Sequence, residues 1–313
     1  VTVDNSLEPN CRWYTGSGIY RPVSLIIKPK NAVKPVKIRT VSLHPAVIEV
    51  ATETENASVE IWDGETCIAK GTPGTIPLPE AKLWDAEHPN LYTCVVKTSD
   101  DEEKFPFGIR TLTWSAQNGL CVNGNTVKLR GGCIHHDNGI LGACGFAEAE
   151  ERRICIMKQA GYNAVRCAHN PASRALLDAC DRLGMYVMDE AFDGWFTPKT
   201  HHDYSRIFES AWREDLSVMI QKDYNHPSVV LYSIGNEVTE TACEQGVQTA
   251  EQMTAFAHTL DNTRPVTAGI NVLLNVYNQK GIGVYKETES YKPEPLPPKK
   301  QEEKKKESGS AFF

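Results

Sequence analysis

Apolar and polar positions alternate with a period of two along residues 35–112, in short runs such as "VKIRTVSLHPAVIEVATE" and "LYTCVVKTSD". Asp-Gly, Pro-Gly and Asp-Asp pairs, which favour turns, divide these runs. Period-two alternation predicts strands with one buried face, and several short strands at this spacing are typical of a sandwich of two sheets. The pattern therefore predicts a small β-sandwich in this part of the chain.

The spacing of apolar residues changes near Thr126. Beyond it, apolar strand-like runs alternate with amphipathic helical stretches. The strand-like runs are "VKLRGG", "NAVRCA", "MYVMDE", "VVLYSI" and "PVTAG". This βαβα order is typical of a parallel sheet. A doubly wound nucleotide-binding sheet usually carries a glycine-rich phosphate turn after its first strand, whereas "RGGCIHHDNG" has two histidines and an aspartate there. The pattern favours a (β/α) barrel.

One helix of this region has clear start and stop signals. In "SRALLDACDRLG", Leu176, Cys180 and Leu183 recur at helical spacing and mark the face that packs on the sheet. Gly184 follows the last apolar position and predicts the end of the helix.

Polar side chains follow the predicted strands at the point where each strand ends. In "NHPSVVLYSIGNE", Asn236 and Glu237 stand side by side directly after an apolar run. Because catalytic groups of barrels lie at the carboxyl ends of the strands, these side chains form one candidate site. The other members of the set are His135, His136, Asp137, Arg166, His169, Asp189 and Glu190.

The two ends of the chain differ in character from the rest. Residues 1–30 have the pattern of closing strands of a further β domain, and residues 286–313 are rich in Lys, Glu and Pro. The second segment has little apolar surface to bury, so we expect no packed core there. With about five barrel strands counted, the chain is expected not to close an eight-stranded barrel alone.

Composition and charge exclude several classes of partner. The formal net charge is −7, from 40 acidic and 33 basic residues, without the basic stripe that binds nucleic acid. No apolar run reaches the roughly 18 residues of a membrane span, and the start of the chain lacks the pattern of a signal peptide. Ten cysteines without a CxxC pair predict reduced thiols and a cytoplasmic location, with neither disulfides nor structural zinc.

Eight motifs, which follow one another in a fixed order along the chain, are together specific enough to indicate a family. They are "RWYTGSGIYRPV", "LWDAEHPNLY", "FGIRT", "VNGNTVKLRGGCIHHD", "MKQAGYNAVRCAHNP", "CDRLGMYVMDEAFD", "DYNHPSVVLYSIGNE" and "DNTRPVT". Over nearly its whole length the chain resembles glycoside hydrolase family two, the group of β-galactosidases, β-glucuronidases and β-mannosidases.

The resemblance implies a division into four segments. Residues 1–30 are expected to be the remnant of a sugar-binding jelly roll, and residues 31–112 an immunoglobulin-like β-sandwich. Residues 113–285 are expected to form an incomplete (β/α)8 TIM barrel, and residues 286–313 a low-complexity tail or insertion. The activity implied is that of a retaining exo-β-glycosidase acting on terminal β-galactosides, with a carbohydrate as partner and no cofactor.

The resemblance also implies a role for the Asn-Glu pair. Glu237 falls on the general acid/base, which must donate a proton to the leaving oxygen and later activate water. Asn236 is expected to bind the sugar 2-hydroxyl. Since adjacent side chains on a strand point to opposite sides, the backbone must be kinked for both to reach one sugar, and Gly235 is the predicted kink. The nucleophile of this family lies near strand seven, so residues 1–313 are expected to be inactive alone.

Five further residues are candidates for the sugar pocket. His135 and His169 fall on positions that line the pocket in the family, and Arg166 either contacts the sugar or braces carboxylates. Asp193 and Trp195 are either sugar contacts or loop packing. No metal site is expected from the resemblance, because "DEAFDGWF" does not reproduce the magnesium ligands of the best-known β-galactosidases. The full-length protein is compatible with a homo-oligomer.

Three hypotheses compete with β-galactosidase activity. One is β-glucuronidase or β-mannosidase specificity on the same fold, and another is a non-catalytic carbohydrate-binding fragment. The third is a metal-dependent hydrolase that uses His135, His136 and Asp137. Adjacent histidines on a strand point to opposite faces, whereas a metal pair on a strand needs an HxH spacing, so this last hypothesis is disfavoured.

Overall fold

The computed structural model describes residues 2–13 and 17–282, and its strands and helices begin at Val36. The strands are β1 Val36–Leu43, β2 Ala46–Thr52, β3 Ser58–Asp63, β4 Thr66–Gly71, β5 Gly74–Pro77, β6 Tyr92–Lys97, β7 Glu102–Phe107, β8 Leu112–Ser115, β9 Gly119–Val122, β10 Asn125–Thr126, β11 Gly131–Ile134, β12 Ala164–Cys167, β13 Tyr186–Glu190, β14 Val229–Asn236 and β15 Val266–Gly269. The α-helices are α1 Ala147–Gln159, α2 Arg174–Leu183, α3 Ser205–Asp223, α4 Glu244–Leu260 and α5 Val272–Gln279.

The first seven strands form the predicted β-sandwich. One antiparallel sheet has the order β1-β2-β5 and the other the order β4-β3-β6-β7. Alternate residues of the strands face inward, so Ile48 of one sheet and Val59 and Ile61 of the other are all fully buried in one core. The period-two pattern of the sequence therefore corresponds to a two-sheet packing.

A small hairpin sheet, β10-β9-β8, leads from the sandwich into a five-stranded parallel sheet. The parallel sheet has the order β11-β12-β13-β14-β15, in which each strand lies beside its neighbour in sequence. A doubly wound sheet reverses its order at a switch point, whereas a barrel wall does not. The described residues thus form part of a barrel wall, as the sequence predicts.

Helix α2 shows how local signals and tertiary packing agree. It starts at Ser173, whose Oγ accepts a hydrogen bond from the Leu176 amide at 3.1 Å. It ends at Gly184, which has a φ of 74°. A Cβ at Gly184 would lie 2.3 Å from the carbonyl oxygen of Ala86, which lies in the sandwich between β5 and β6. Only glycine satisfies both conditions, so the helix stop also sets a contact between the two parts of the chain.

Polar side chains, one buried and one partly buried, hold the sandwich against the amino end of the parallel sheet. Arg110 donates from Nε to the carbonyl of Pro227 at 2.9 Å and from Nη2 to that of Val229 at 2.8 Å. Asn225 accepts a hydrogen bond from the Ile38 amide at 2.9 Å. Buried backbone groups need such partners, so the two units share one hydrogen-bonded junction.

The N-terminal segment differs from the expectation of closing jelly-roll strands. Residues 2–13 and 17–35 contain neither strand nor helix. The segment lies instead along loops of the barrel part: the His202 amide donates to the Pro9 carbonyl at 3.0 Å, and the Gly145 amide to that of Tyr20 at 2.9 Å. Backbone groups that have no neighbouring strand must find other partners, and these loops supply some of them.

The low-complexity segment 286–313 lies outside the described residues, so the expectation for it stays a prediction. None of the helices in the described part of the chain combines the length and the apolar character needed to cross a bilayer.

Candidate active site

Glu237 follows directly on β14, and its backbone has a left-handed conformation with a φ of 46°. Its amide donates to the carbonyl of Gly269 in β15 at 2.6 Å. Its Oε1 accepts a hydrogen bond at 3.0 Å from Nδ2 of Asn271, the residue that caps α5. The chain therefore turns at Glu237 itself, which brings its partly exposed side chain to the carboxyl edge of the sheet.

The kink is thus two residues later than Gly235, the glycine at which the sequence predicts it. Gly235 lies outside the left-handed region, and glycine is required there for a different reason. A Cβ at Gly235 would lie 2.7 Å from Cγ2 of Val238 and 2.9 Å from Nε1 of Trp195. The absence of a side chain at this position lets the indole approach the strand.

Trp195 is completely buried and belongs to the core between the sheet and its helices. Its Nε1 donates to the carbonyl of Ile234 at 2.7 Å. Of the two roles considered for this residue, the structure shows packing. A ring without exposed surface cannot stack on a sugar, so the expectation of a substrate contact is corrected here.

Asn236 is held on every polar atom of its side chain and on its carbonyl. Arg166 donates to Oδ1 at 3.0 Å, and Nδ2 donates to Oδ1 of Asp193 at 2.9 Å. Nζ of Lys199 donates to the main-chain oxygen of Asn236 at 2.6 Å. These bonds fix the amide in one orientation next to Glu237.

Asp193 joins three donors at one carboxylate. Besides Asn236, Nη2 of Arg12 lies 2.8 Å and Nζ of Lys199 lies 2.9 Å from its Oδ1. Burial by itself would raise the pKa of Asp193, but the charge of Lys199 and the hydrogen bonds from Arg12 and Asn236 hold the pKa below its usual value. Asp193 is therefore an anion that organises the neighbouring side chains.

Glu190 performs the same task at the end of β13 and is completely buried. Arg166 donates to its Oε2 from Nε at 3.1 Å and from Nη2 at 2.5 Å, and Ser233 donates to the same oxygen at 2.5 Å. Nδ1 of His169 lies 2.6 Å from the other oxygen, Oε1. Of the two roles considered for Arg166, the structure shows the bracing of a carboxylate, which also orients Asn236.

Three rings lie together above these groups. The ring of Trp13 is 5.0 Å from that of His135 and 5.3 Å from that of His169, measured between centroids, and the two histidines are 5.5 Å apart. Burial and the neighbouring His169 lower the pKa of His135, which favours a neutral ring. The N-terminal segment thus contributes an aromatic wall to the site.

Seven of the predicted residues converge at this edge, and five others were not predicted. Hydrogen bonds connect a network of five of them, which are Asn236, Arg166, Asp193, Glu190 and His169. Glu237 follows Asn236 in the chain, and His135 joins His169 through a ring contact. The residues that sequence reasoning missed are Arg12, Trp13, Lys199, Ser233 and Asn271. "RWYTGSGIYRPV" contained a signal for the first two, whereas Lys199 lies in a loop without any motif.

The histidine pair that a metal-dependent hydrolase would use is divided between two surroundings. His135 lies against Trp13, whereas the ring of His136 stacks on that of Tyr20 with centroids 5.5 Å apart. Among the described residues, one acidic group has the spacing of a cation site, and it comprises Asp178, Asp181 and His226. Packing accounts for it, because Asp181 already accepts from Nδ1 of His226 at 2.6 Å and from the Ser228 amide at 3.0 Å.

The fold and the site together are typical of the class of barrel enzymes. A β-sandwich is joined to a parallel barrel wall, and the polar groups lie at the carboxyl edge of the strands, which is where barrel enzymes carry their active sites.

Comparisons with known sequences identify the family. The family described as glycosyl hydrolases family 2, TIM barrel domain, matches residues 116–308, and that described as glycosyl hydrolases family 2 matches residues 27–110. The chain belongs to glycosyl hydrolase family 2.

Similar proteins extend well beyond this chain. Beta-galactosidase BoGH2A of Bacteroides ovatus is 35% identical over 87% of the chain and 39% of its own length. A solved structure of a family 2 member from Bacteroides cellulosilyticus is 41% identical, with a TM-score of 0.77 over 84% of the chain and 38% of its own length. A beta-glucuronidase from an uncultured Clostridium sp. is 26% identical, with a TM-score of 0.73 over 82% of the chain and 46% of its own length. The chain thus spans less than half the length of these relatives.

Proposed function

We propose that this chain is the acid/base-bearing part of a retaining exo-β-glycosidase that works by double displacement. The observation that carries the proposal is Glu237, a partly exposed carboxyl group turned by its left-handed backbone to the carboxyl edge of a barrel wall. In such a mechanism one carboxyl group protonates the leaving oxygen and then activates water.

The second carboxylate is proposed to come from outside residues 1–313. A retaining enzyme needs its nucleophile about 5–5.5 Å from the acid/base. The neighbouring acids already form ion pairs. Glu190 is buried against Arg166 and His169, and Asp193 is paired with Lys199. An acid that is buried in ion pairs is poorly suited to attack a sugar, so these two support the site and do not replace the nucleophile.

The sugar is proposed to lie between Glu237 and the histidines. Asn236 and Arg166 form one polar side of this space, and His135 and His169 form the other. Because Nδ1 of His169 is bonded to Glu190, its Nε2 is the ring atom suited to a sugar hydroxyl. Asp193 acts on the sugar through Asn236 in this arrangement, whereas Trp195 takes no part.

Terminal β-galactosides are the proposed substrates. Support comes from the relative in Bacteroides ovatus, which is named a β-galactosidase. A β-glucuronide is the second candidate, because the relative from Clostridium carries that name. Hydrolysis of β-mannosides and a non-catalytic role in carbohydrate binding are the competing hypotheses that the assay below also tests.

The test is an assay of the full reading frame and of residues 1–313 with nitrophenyl β-galactoside, β-glucuronide and β-mannoside. We expect turnover of the galactoside by the full protein with retained anomeric configuration, and none by residues 1–313. Glu237→Gln should abolish turnover of unactivated galactosides, whereas Glu214→Gln on the exposed face of α3 should not change it. Equal activity of both variants would reject Glu237 as the acid/base.

A reducing compartment such as the cytoplasm is proposed as the location. The support is that all ten cysteines are free thiols, and four of them are buried. A homo-oligomer of the full-length protein is also proposed, and sedimentation of the full reading frame tests it.

A further inference from the structure

Lys199 is a buried lysine in the loop between β13 and α3, and its side chain is 4% exposed. Its ammonium group has three donors and meets three acceptors: the main-chain oxygen of Asn236 at 2.6 Å, that of Asp193 at 2.7 Å and Oδ1 of Asp193 at 2.9 Å. A buried ammonium group is costly unless each donor is satisfied. Here the set is complete, so the position of the ammonium group is fixed by its acceptors.

The acceptor at Asn236 belongs to the peptide group that joins Asn236 to Glu237. The oxygen of this peptide group is bound by Lys199, and its N–H is bound by the Gly269 carbonyl at 2.6 Å. A planar peptide group that is held at both ends has a fixed tilt. Since this tilt determines φ of Glu237, the two hydrogen bonds together hold the left-handed turn.

The side chain of Asn236 is tied to the same lysine by a second route. Its Nδ2 donates to Oδ1 of Asp193, which also accepts from Lys199. The ammonium group of Lys199 therefore holds Asn236 twice, directly at its main-chain oxygen and through Asp193 at its side chain. A non-glycine residue in the left-handed region persists only when its surroundings over-determine it, and this arrangement does so.

We propose that Lys199 is a positioning residue that fixes the Asn236–Glu237 peptide group and thereby aims the Glu237 carboxyl group at the leaving oxygen. The inference rests on the proposed function of Glu237. Lys199 takes no part in proton transfer and acts through Asn236. Burial lowers the pKa of Lys199, and Asp193 opposes this effect, which agrees with an ammonium group kept by its carboxylate partner.

The first test uses residues 1–313 and needs no activity. Lys199→Met keeps the length of the side chain and removes its donors. We expect amide hydrogen exchange at Glu237 to become at least about tenfold faster, because the peptide group loses one of its two anchors. Lys158→Met is the matched control, since Nζ of Lys158 also binds two main-chain oxygens, those of Ala86 at 2.8 Å and Gly184 at 2.9 Å, away from the site.

The second test uses the full reading frame and the leaving-group dependence of the rate. In Lys199→Met we expect kcat on a disaccharide to fall about 10²-fold, as is usual for a small misplacement of a catalytic group. A dinitrophenyl glycoside needs little protonation, so its rate of glycosyl transfer should fall much less. A general structural defect would lower both rates alike.

The outcomes separate the two proposals. If Glu237→Gln keeps full activity, the proposed function fails, whatever Lys199 does. If Glu237→Gln is inactive and Lys199→Met behaves like Lys158→Met in exchange and in kinetics, the inference on Lys199 alone is overturned. If Lys199→Met does not fold, Lys199→Gln takes its place, and a failure of both to fold shows a general folding role and also overturns the inference.

Discussion

Replacing Gly235 with alanine would test the packing on which the acid/base turn is built. The new methyl group would lie 2.7 Å from Cγ2 of Val238 and 2.9 Å from Nε1 of Trp195. Both neighbours are fixed, because Val238 is β-branched and 1% exposed and Trp195 has no exposed surface. The clash therefore cannot be relieved by rotation of a flexible side chain, and the indole or the strand must move.

The size of the effect follows from these contacts. Overpacking of a core costs about 1–3 kcal/mol. Movement of the indole would also weaken its hydrogen bond to the Ile234 carbonyl, 2.7 Å long, at a cost of about 1 kcal/mol. The lower entropy of alanine in the unfolded chain offsets about 0.4–1 kcal/mol. We expect Gly235→Ala to lower the free energy of unfolding by about 1–3.5 kcal/mol.

Urea denaturation followed by circular dichroism measures this loss. Gly71→Ala is the matched control, because Gly71 is exposed at the end of β4 and a Cβ there meets no atom within 4 Å. We expect the control to stay within about 0.5 kcal/mol of the wild type. Equal urea midpoints for the two variants would refute the argument that Trp195 requires glycine at this position.

Three further predictions concern charged groups. Glu237→Ala in the full reading frame should slow both glycosyl transfer and hydrolysis of the intermediate, and azide should restore the second step; wild-type turnover of a disaccharide would contradict this. Burial and the charge of Asp189 raise the pKa of Asp223 well above its usual value, although the charge of Lys222 opposes this shift. The folded state then binds this proton more tightly than the unfolded state, so the contribution of Asp223 to wild-type stability should fall as the pH rises above about 4. Asp223→Asn should remove this fall, which urea midpoints across that range would show. Arg264→Met should cost about 3–5 kcal/mol in the same assay, because it leaves the buried Asp261 without its cation, and a loss below about 1 kcal/mol would contradict the ion pair.

The elements that the sequence predicts well depend on local signals. The strands of the sandwich follow period-two alternation and turn dipeptides, and α2 runs from its cap at Ser173 to its stop at Gly184 as the spacing indicates. The parallel strands are recognisable because each is a short apolar run between helices. In these places the local preference and the tertiary structure agree, so the pattern of the sequence is sufficient.

The details of the site depend on partners that are distant in sequence. The left-handed turn at Glu237 is not a local preference of glutamate, and it is held by Lys199 and Gly269 from other segments. A tryptophan is equally compatible with a core and with a sugar platform. The sequence could not reveal that Trp195 is buried and that Trp13 lies beside the histidines, because exposure is decided by the packing of the whole chain.

The junction formed by Arg110 and Asn225 has a consequence for how the protein unfolds. A sandwich cut from the barrel part at residue 112 would present the Arg110 guanidinium and the Ile38 amide to solvent. The oxygen of Pro227 would lose the Arg110 donor, and that of Val229 would keep only its bond from Nε of Arg264, at 2.8 Å. Sequence families treat the two parts as separable modules, yet their backbones complete each other. We therefore expect the sandwich and the barrel wall to unfold as one cooperative unit, so that the boundary between the two sequence families is not a boundary between independently stable parts.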